Sequence, residues 1–239
     1  MGVNSQIKLS NIDFLMKKTF IYFSIMALMA SCNVKQQEQQ QITATPVVAA
    51  ETIQLQTPSK QGGASINEAL WNRKSYRDYA NQPLTLEELS GVMWAAAGVN
   101  RPDGHLTAPS ALALYPIQTY VFLESGVYLY DAKTNTLNRK VEGDYRSLAT
   151  LQDFANTASL NIVYIADLSV YEGKNIDANK VAVLCGMDAA GYAENVNLYT
   201  AGNGLKSITR GGAKAEQILE LLQLDPARYA FTLAQTVGK

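Results

Sequence analysis

The segment from Asn100 to Pro116 is the part of the chain best suited to hold a ligand. It contains three prolines and one glycine, so it cannot form an ordinary helix or strand. It also lacks the charge runs and low-complexity sequence of a flexible linker. A rigid, mostly apolar loop with a few polar groups can offer a flat aromatic ligand a face to lie on. The residues alone leave a second reading open, a structural crossover loop, and that is the commoner use of such a segment.

Histidine and cysteine are too scarce for the usual metal or triad chemistry. His105 is the only histidine, and Cys32 and Cys185 are the only cysteines. The sequence therefore argues against a zinc site and against a histidine-based catalytic triad. Cys185 lies in an apolar, helix-like run, where burial is a commoner role than reactivity.

A cluster of basic residues lies at Arg73–Arg77, with the sequence Arg-Lys-Ser-Tyr-Arg. Taken alone, such a cluster is most often a solvated turn after a helix. The net charge of the whole chain is −1, so the protein has no global basic field, and we expect no nucleic-acid partner.

The N-terminal region has the pattern of a secretory signal. A basic start at Met16–Lys18 precedes the uncharged apolar run Thr19–Ala30, which is too short to span a bilayer comfortably. The ending Met29–Cys32 resembles the lipobox of bacterial lipoproteins, in which the cysteine is lipidated. We therefore predict a non-functional extension over 1–15, a signal peptide over 16–31 and lipidation at Cys32.

This pattern predicts a lipoprotein of the cell envelope, on the periplasmic or outer-surface side, held to the membrane by its lipid anchor. The alternative is a cytoplasmic protein with an unusual N-terminus. The stretch 32–63 is rich in Gln, Thr, Ala and Val and has little to bury, so we predict a disordered linker. The remaining residues, 64–239, are about the right length for one domain.

Helices and strands alternate irregularly in the domain. Capping boxes at Ser65–Glu68 and Thr85–Glu88 open two helices, and Gly98 ends the second. A turn at Ser125-Gly126 indicates a β-hairpin. The remaining predictions are strands over Ile117–Leu123, Val127–Asp131, Leu160–Ala166 and Tyr229–Val237, helices over Leu148–Ala158, Asn179–Ala201 and Ala213–Leu222, and a loop over Ser207–Gly212. This order favours an α+β fold over a doubly wound parallel sheet.

Three blocks in this order resemble the nitroreductase family of FMN-dependent flavoproteins, and in particular its short subgroup related to the SagB-type oxidases. Arg73–Arg77 is similar to the family's R-x-S-x-[RK] block. Thr107–Pro116 is similar to the subgroup's T-A-P-S-A-x-A-x-Y-P. Asp188–Leu198, followed by Gly204-Leu205, resembles the long central helix and the loop after it. The likeness covers essentially all of Ser65–Lys239.

The resemblance implies a central, mostly antiparallel sheet flanked by helices, in a homodimer with two FMN molecules at the subunit interface. Arg73 and Ser75 then hold the FMN phosphate, and Lys74 between them is counted with the cofactor-binding residues. Arg77 matches the basic position near the flavin pyrimidine edge, where negative charge collects on reduction.

The resemblance also assigns the residues that line the flavin ring, which we call the wall of the site, and the residues near flavin N5. Pro109, Ser110 and Ala111 run along the ring system and offer backbone groups to its polar edge. Arg210-Gly211 presents a backbone N–H toward flavin N5. Lys239 is the only residue available for the phosphate contact that many relatives make near their C-terminus.

The chain departs from the family pattern at three positions. Ala113 and Tyr115 replace polar residues that many relatives place against the flavin, and Glu194 stands where glutamine is common. These changes imply weaker FMN binding than is usual.

The function implied is an FMN-dependent oxidoreductase that acts on a small organic substrate, such as a nitro compound or a quinone, by hydride transfer through N5. NAD(P)H is the usual electron donor of the family, but an envelope protein would meet little of it, so another donor is possible. The alternatives are a flavin- or small-molecule-binding lipoprotein without catalysis, and a SagB-like azoline oxidase.

Overall fold

A seven-stranded sheet forms the centre of the computed structural model, which describes residues 50–239. Its strands pair antiparallel throughout, in the order β1-β4-β3-β2-β5-β7-β6. The strands are β1 Thr52–Gln54, β2 Ile117–Leu123, β3 Gly126–Asp131, β4 Thr136–Glu142, β5 Leu160–Asp167, β6 Lys206–Arg210 and β7 Tyr229–Gly238, and the α-helices of this region are α1 Ile66–Asn72, α2 Leu86–Ala97, α3 Ala178–Gly202 and α4 Ala215–Leu221. The predicted α+β fold with a mostly antiparallel sheet is confirmed.

Side-chain caps begin the helices as their sequences predicted. The Ser65 hydroxyl accepts a hydrogen bond from the Glu68 N–H at the start of α1, at 3.2 Å. At α2 the capping box is reciprocal, because Glu88 N–H donates to Thr85 at 3.2 Å and Thr85 N–H donates to the Glu88 carboxylate at 2.7 Å. Gly98 ends α2 as predicted.

Two hydrophobic clusters fill the two faces of the sheet. On one face, α2 and α3 cover large buried side chains that include Met93, Tyr164 and Tyr192. On the other face, α4 and irregular segments cover a second cluster that includes Phe122 and Ile165. The strands alternate their side chains between these two faces, so in the central strand β5 Leu160, Ile162, Tyr164 and Ala166 belong to the first cluster and Val163 and Ile165 to the second.

The prediction of a helix over Leu148–Ala158 is wrong. The segment contains 3-10 turns at Arg146–Leu148 and Asp153–Ala155 instead. Side chains bind the backbone carbonyls at the end of this segment: Arg146 donates to the Ala158 carbonyl at 2.9 Å, and Asn161 donates to the Ala155 carbonyl at 2.9 Å.

The prediction of a loop over Ser207–Gly212 is also wrong for its first part. Residues Lys206–Arg210 form β6, which pairs with β7 at the edge of the sheet. The side chains of Ser207 and Thr209 form hydrogen bonds with α3, so these polar groups are satisfied within the sheet. Strand β4 was not predicted, because most of its residues are polar.

The linker predicted over 32–63 is wrong for its last part. Strand β1 pairs with β4, and Ile53 and Leu55 are 7% and 4% exposed. The predicted extension 1–15, the signal peptide 16–31 and Cys32 lie outside the described residues. Among residues 50–239, no helix is both long enough and apolar enough to cross a membrane.

A fragment that starts at Ala64 should be less stable than one that starts at Ala50. The shorter fragment loses β1 and the burial of Ile53 and Leu55, which together contribute about 3 kcal/mol by area, an upper estimate. Urea denaturation of the two fragments measures the difference. Equal free energies of unfolding would show that β1 adds nothing to the domain.

Candidate functional site

The basic segment Arg73–Arg77 lies along strand β6. Ser75 forms a parallel bridge with Ser207, and Tyr76 N–H donates to the Ser207 carbonyl at 3.1 Å. Within residues 50–239, Arg73, Lys74 and Arg77 form no ion pair, and all three side chains are exposed. The backbone of this segment is therefore fixed while its cations remain available to an anion.

An aromatic ring and an ion pair organise the end of this segment. The ammonium groups of Lys74 and Lys206 lie 4.9 Å and 5.7 Å from the centroid of the Tyr76 ring. Lys206 also donates to the Asp78 carboxylate at 2.5 Å. This hydrogen bond lowers the pKa of Asp78. Lys206 is thus neutralised, and the local excess of positive charge rests on the three exposed cations.

The loop Asn100–Pro116 is ordered by its contacts with α2. Its first part closes through a bridge between Val99 and Leu106. The Thr107 hydroxyl lies 3.2 Å from the Trp94 carbonyl and 3.0 Å from the Ala95 carbonyl, as donor to both. The rigidity predicted for this loop is therefore present in the structure.

Ser110 and Ala111 are bound to a carboxylate of α3. The Ser110 hydroxyl donates to Asp188 at 2.5 Å and accepts from Tyr115 N–H at 2.9 Å, and Ala111 N–H donates to the other Asp188 oxygen at 3.3 Å. Pro109 is exposed beside them. The Ser110 side chain is thus used to shape the loop, and the exposed surface here comes from Pro109 and the residues after Ala111.

Arg210 and Gly211 lie at the end of β6, but their roles differ. Gly211 is exposed, whereas the Arg210 side chain is only 7% exposed and turns into the protein. Its guanidinium donates to the Ala149 carbonyl, Asn161 Oδ1 and Thr236 Oγ1 at 2.9, 2.9 and 2.8 Å. Burial lowers the pKa of Arg210 to about 10, so the group stays charged at neutral pH.

Lys239 has a partner other than a ligand. Its ammonium lies 3.0 Å from the Glu88 carboxylate, and its carbonyl accepts from Ala80 N–H at 2.8 Å. The C-terminus is therefore tied to the start of α2. In this arrangement the Lys239 charge is already balanced.

Helix α3 shows how far apart the predicted site residues lie within one chain. Ser207, beside Ser75, hydrogen-bonds to Asn197 and Thr200, whereas Ser110 contacts Asp188. Nine residues of helix separate Asp188 from Asn197, which is about 14 Å. The structure therefore brings Arg73–Arg77 together with β6, but does not bring them to Pro109–Ala111.

The arrangement can bind an anion and a flat group but offers little chemistry of its own. Exposed cations and the Ser75 hydroxyl suit a phosphate, because charge-assisted hydrogen bonds to phosphate are strong. Within residues 50–239, no three histidine, cysteine or acidic side chains are grouped as metal ligands.

Sequence reasoning gave no role to Asp188 or to the Arg210 side chain. Asp188 is 5% exposed and has no basic partner within the described part of the chain. The available signal was a carboxylate in the middle of the apolar run around Cys185–Ala189, since an unpaired carboxylate is rarely buried without a purpose.

Sequence and structure comparisons find relatives of this chain. The model of the nitroreductase family matches residues 70–239. A protein of Methanocaldococcus jannaschii that carries the name nitroreductase is 30% identical over 183 residues, which are 73% of this chain and 91% of that protein.

Two solved structures share the fold. One from Ralstonia eutropha JMP134, also named as a nitroreductase, is 34% identical with a TM-score of 0.75 and covers 84% of this chain and 95% of its own. The other is an NADPH:FMN oxidoreductase from Vibrio harveyi complexed with NAD+. It is 18% identical, with a TM-score of 0.53, and covers 72% of this chain and 67% of its own.

The family match spans the loop, the basic segment and the long helix that carry the site. It also covers strands β2 to β7 of the sheet. The chain belongs to the nitroreductase family.

Proposed function

We propose that the protein is an FMN-dependent oxidoreductase that reduces or oxidises a small organic substrate, such as a nitro compound or a quinone. The observation that carries the proposal is the unpaired cationic segment Arg73–Arg77, held rigidly against β6 in a chain of this family. Bound FMN supplies hydride transfer through N5. The protein's own residues bind the cofactor, orient it and set its charge environment.

The FMN phosphate belongs at Arg73 and Ser75 in this proposal, with Lys74 adding charge. The three residues are exposed, and the Ser75–Ser207 bridge fixes their backbone. A preorganised cationic segment loses little entropy when it takes up a phosphate, so it can bind tightly. Lys239 can bind the phosphate only if it breaks its ion pair with Glu88, so we expect it to contribute least to phosphate binding.

We assign Arg77 and Gly211 to two different parts of the flavin ring, the pyrimidine edge and N5. A fixed cation at Arg77 stabilises the negative charge that collects at the pyrimidine edge on reduction. The Gly211 N–H, exposed just after the end of β6, is the donor that we assign to N5. Pro109, Ser110 and Ala111 supply the wall against which the ring lies, mainly through backbone and packing.

A homodimer completes the site. Asp188, which holds the wall, and Asn197, which binds Ser207 beside the phosphate residues, lie about 14 Å apart on α3 of one chain, so we assign the wall to the second subunit. Exposed apolar side chains mark the surface for this contact: Ile66 at 61%, Leu70 at 54%, Trp71 at 89% and Met187 at 63% exposure. Such groups are usually covered by a partner.

The identity of the electron donor depends on the cellular compartment of the protein. We propose a lipid anchor at Cys32 and a place in the cell envelope, where NADH and NADPH are scarce. The donor is then either NAD(P)H, as in the name of the Vibrio harveyi protein, or another redox partner.

Anaerobic reduction of the FMN-loaded protein tests the function. We expect NADPH or NADH to bleach the flavin absorbance and a quinone or nitro compound to restore it. Bleaching by dithionite alone would favour another donor or a binding protein without catalysis. Oxidation of an azoline peptide in place of these acceptors would favour the SagB-like alternative.

Replacing Arg77 with alanine should lower the flavin reduction potential. Loss of the cation removes stabilisation from the reduced ring, on the order of 30 mV for about 1.4 kcal/mol in a two-electron couple. Equilibration with a reference dye measures the potential, and Lys140→Ala, an exposed cation on β4, serves as the control. An unchanged potential with normal FMN binding would refute this role for Arg77.

A further inference from the structure

The turn that follows Ser110 has an unusual backbone. Leu112, Ala113 and Tyr115 have φ angles of 56°, 52° and 47°, although none of them is glycine. Residues with a Cβ rarely adopt this left-handed conformation, and they persist in it only when surrounding contacts impose it. Leu112 is also 69% exposed, so its own packing does not hold the turn in place. Some other contact must do so.

The contacts that hold this turn converge on one side chain of α3. Ser110 is the central link, because its hydroxyl accepts from Tyr115 N–H at 2.9 Å and donates to Asp188 at 2.5 Å. The second Asp188 oxygen accepts from Ala111 N–H at 3.3 Å. The Asp188 carboxylate therefore binds the start of the turn directly, at Ala111 N–H. It holds the end of the turn, at Tyr115 N–H, through the Ser110 hydroxyl.

Within residues 50–239, no ion pair accounts for the burial of Asp188. Its side chain is 5% exposed, and no basic group of residues 50–239 lies within 4 Å of it. A buried carboxylate is costly unless hydrogen bonds compensate it, and the two donors of the loop are the compensation here. Helix α3 also packs closely at this level, because a Cβ placed on Gly191 would meet the Ala108 side chain at 3.8 Å.

We propose that Asp188 is a positioning residue of the cofactor site. Through Ser110 it fixes the turn Leu112–Tyr115, and that turn continues the wall that Pro109, Ser110 and Ala111 offer to the flat ring. This inference rests on the proposed function. It explains how the wall keeps its form although Ala113 and Tyr115 lack the polar groups that many relatives carry. Preorganisation by Asp188 takes the place of direct polar contacts.

The test uses the full chain and the variants Ser110→Ala, Asp188→Ala, Asp188→Asn and the double alanine variant. Each single alanine variant should weaken FMN binding about tenfold, as expected for loss of a hydrogen bond to a charged group. The loss of affinity in the double variant should be clearly smaller than the sum of the two single losses, because the Ser110–Asp188 hydrogen bond is common to both. Asp188→Asn should recover part of the affinity, since its amide oxygen still accepts one bond.

Two readouts separate positioning from a general loss of stability. The visible circular dichroism of bound flavin should change in the alanine variants, and the Tyr115 amide should exchange its hydrogen faster. Ile165→Ala, which removes a buried side chain on the opposite face of the sheet, is the stability control and should change neither.

The outcomes distinguish this inference from the proposed function. If the wild-type protein takes up FMN and the Ser110 and Asp188 variants bind it equally well, only the positioning role is overturned. Additive losses in the double variant, or an unchanged exchange rate at Tyr115, also overturn it. If the wild-type protein takes up no FMN, the proposed function fails and the assignment of Asp188 fails with it. If Asp188→Ala does not fold, FMN affinity and Tyr115 amide exchange in Ser110→Ala and Asp188→Asn still test the positioning role.

Discussion

Replacing Arg73 with alanine is expected to weaken FMN binding by about 10- to 150-fold. The exposed guanidinium has no ion-pair partner within residues 50–239, so its charge is available to the phosphate. A hydrogen bond to a charged group contributes about 1.5–3 kcal/mol, which corresponds to this range of affinity. The effect should be among the largest at the site because no other contact at the phosphate combines charge with two parallel donors.

Titration of the apoprotein with FMN, followed by quenching of flavin fluorescence, measures the change. Arg73→Lys should recover part of the affinity, because it keeps the charge but loses the bidentate geometry. Lys140→Ala on β4 removes an exposed cation elsewhere and should leave the affinity unchanged. Equal affinity in Arg73→Ala and the wild-type protein would remove Arg73 from the phosphate site.

Replacing Arg210 with alanine should lower the free energy of unfolding by about 3 kcal/mol. The guanidinium satisfies acceptors on Ala149, Asn161 and Thr236, which lie in three separate parts of the chain. Removing it takes this donor from the Ala149 carbonyl and the Thr236 hydroxyl, whereas Asn161 Oδ1 still accepts from Thr236 at 2.6 Å. It also opens a cavity between the sheet and the irregular segment that covers it. The Nε of Arg210 has no partner among the described residues, so the site is already imperfectly paired.

Urea denaturation of the apoprotein measures this effect without involving the cofactor. Arg210→Lys should be nearly as destabilised, since one ammonium cannot reach all three acceptors from a single position. Lys140→Ala provides the comparison for loss of a surface charge. Wild-type stability in Arg210→Ala would mean that the buried guanidinium costs as much free energy as its hydrogen bonds supply.

The sequence predicted the elements whose signals are local. The capping box at Thr85, the Ser65 cap, the turn at Ser125-Gly126 and the long helical pattern of α3 all depend on neighbouring residues, and the structure confirms them. At Ser65 only the bond from Glu68 N–H to the serine forms, without the reciprocal bond of the predicted capping box. Strands β1 and β4 were missed because pairing with other strands, and not an apolar pattern of their own, defines them.

The error over Leu148–Ala158 has the same origin. Its residues have acceptable helical propensity, but Arg146 and Asn161 bind its carbonyl groups from outside the segment. Thr150 adds a local competitor, because its hydroxyl exchanges hydrogen bonds with the backbone of Gln152 at 3.0 and 2.9 Å. Such contacts depend on the folded chain and have no signature in a short window of sequence.

The candidate site was predictable only in part. The resemblance identified the basic segment, the loop and Arg210-Gly211, and the structure puts the first and the last of these on or beside β6. Sequence could not reveal that the Ser110 hydroxyl is engaged by Asp188, because 78 residues separate the two. Nor could it reveal that Arg210 turns inward, since β6 was predicted as a loop.

Titration of the purified, FMN-free protein with FMN tests the central claim most directly. Our account predicts saturable binding of one FMN per chain, a perturbed flavin absorption spectrum and a dimer in solution that carries two cofactors. A protein that stays colourless, binds no FMN and leaves the spectrum of added flavin unchanged would contradict the account.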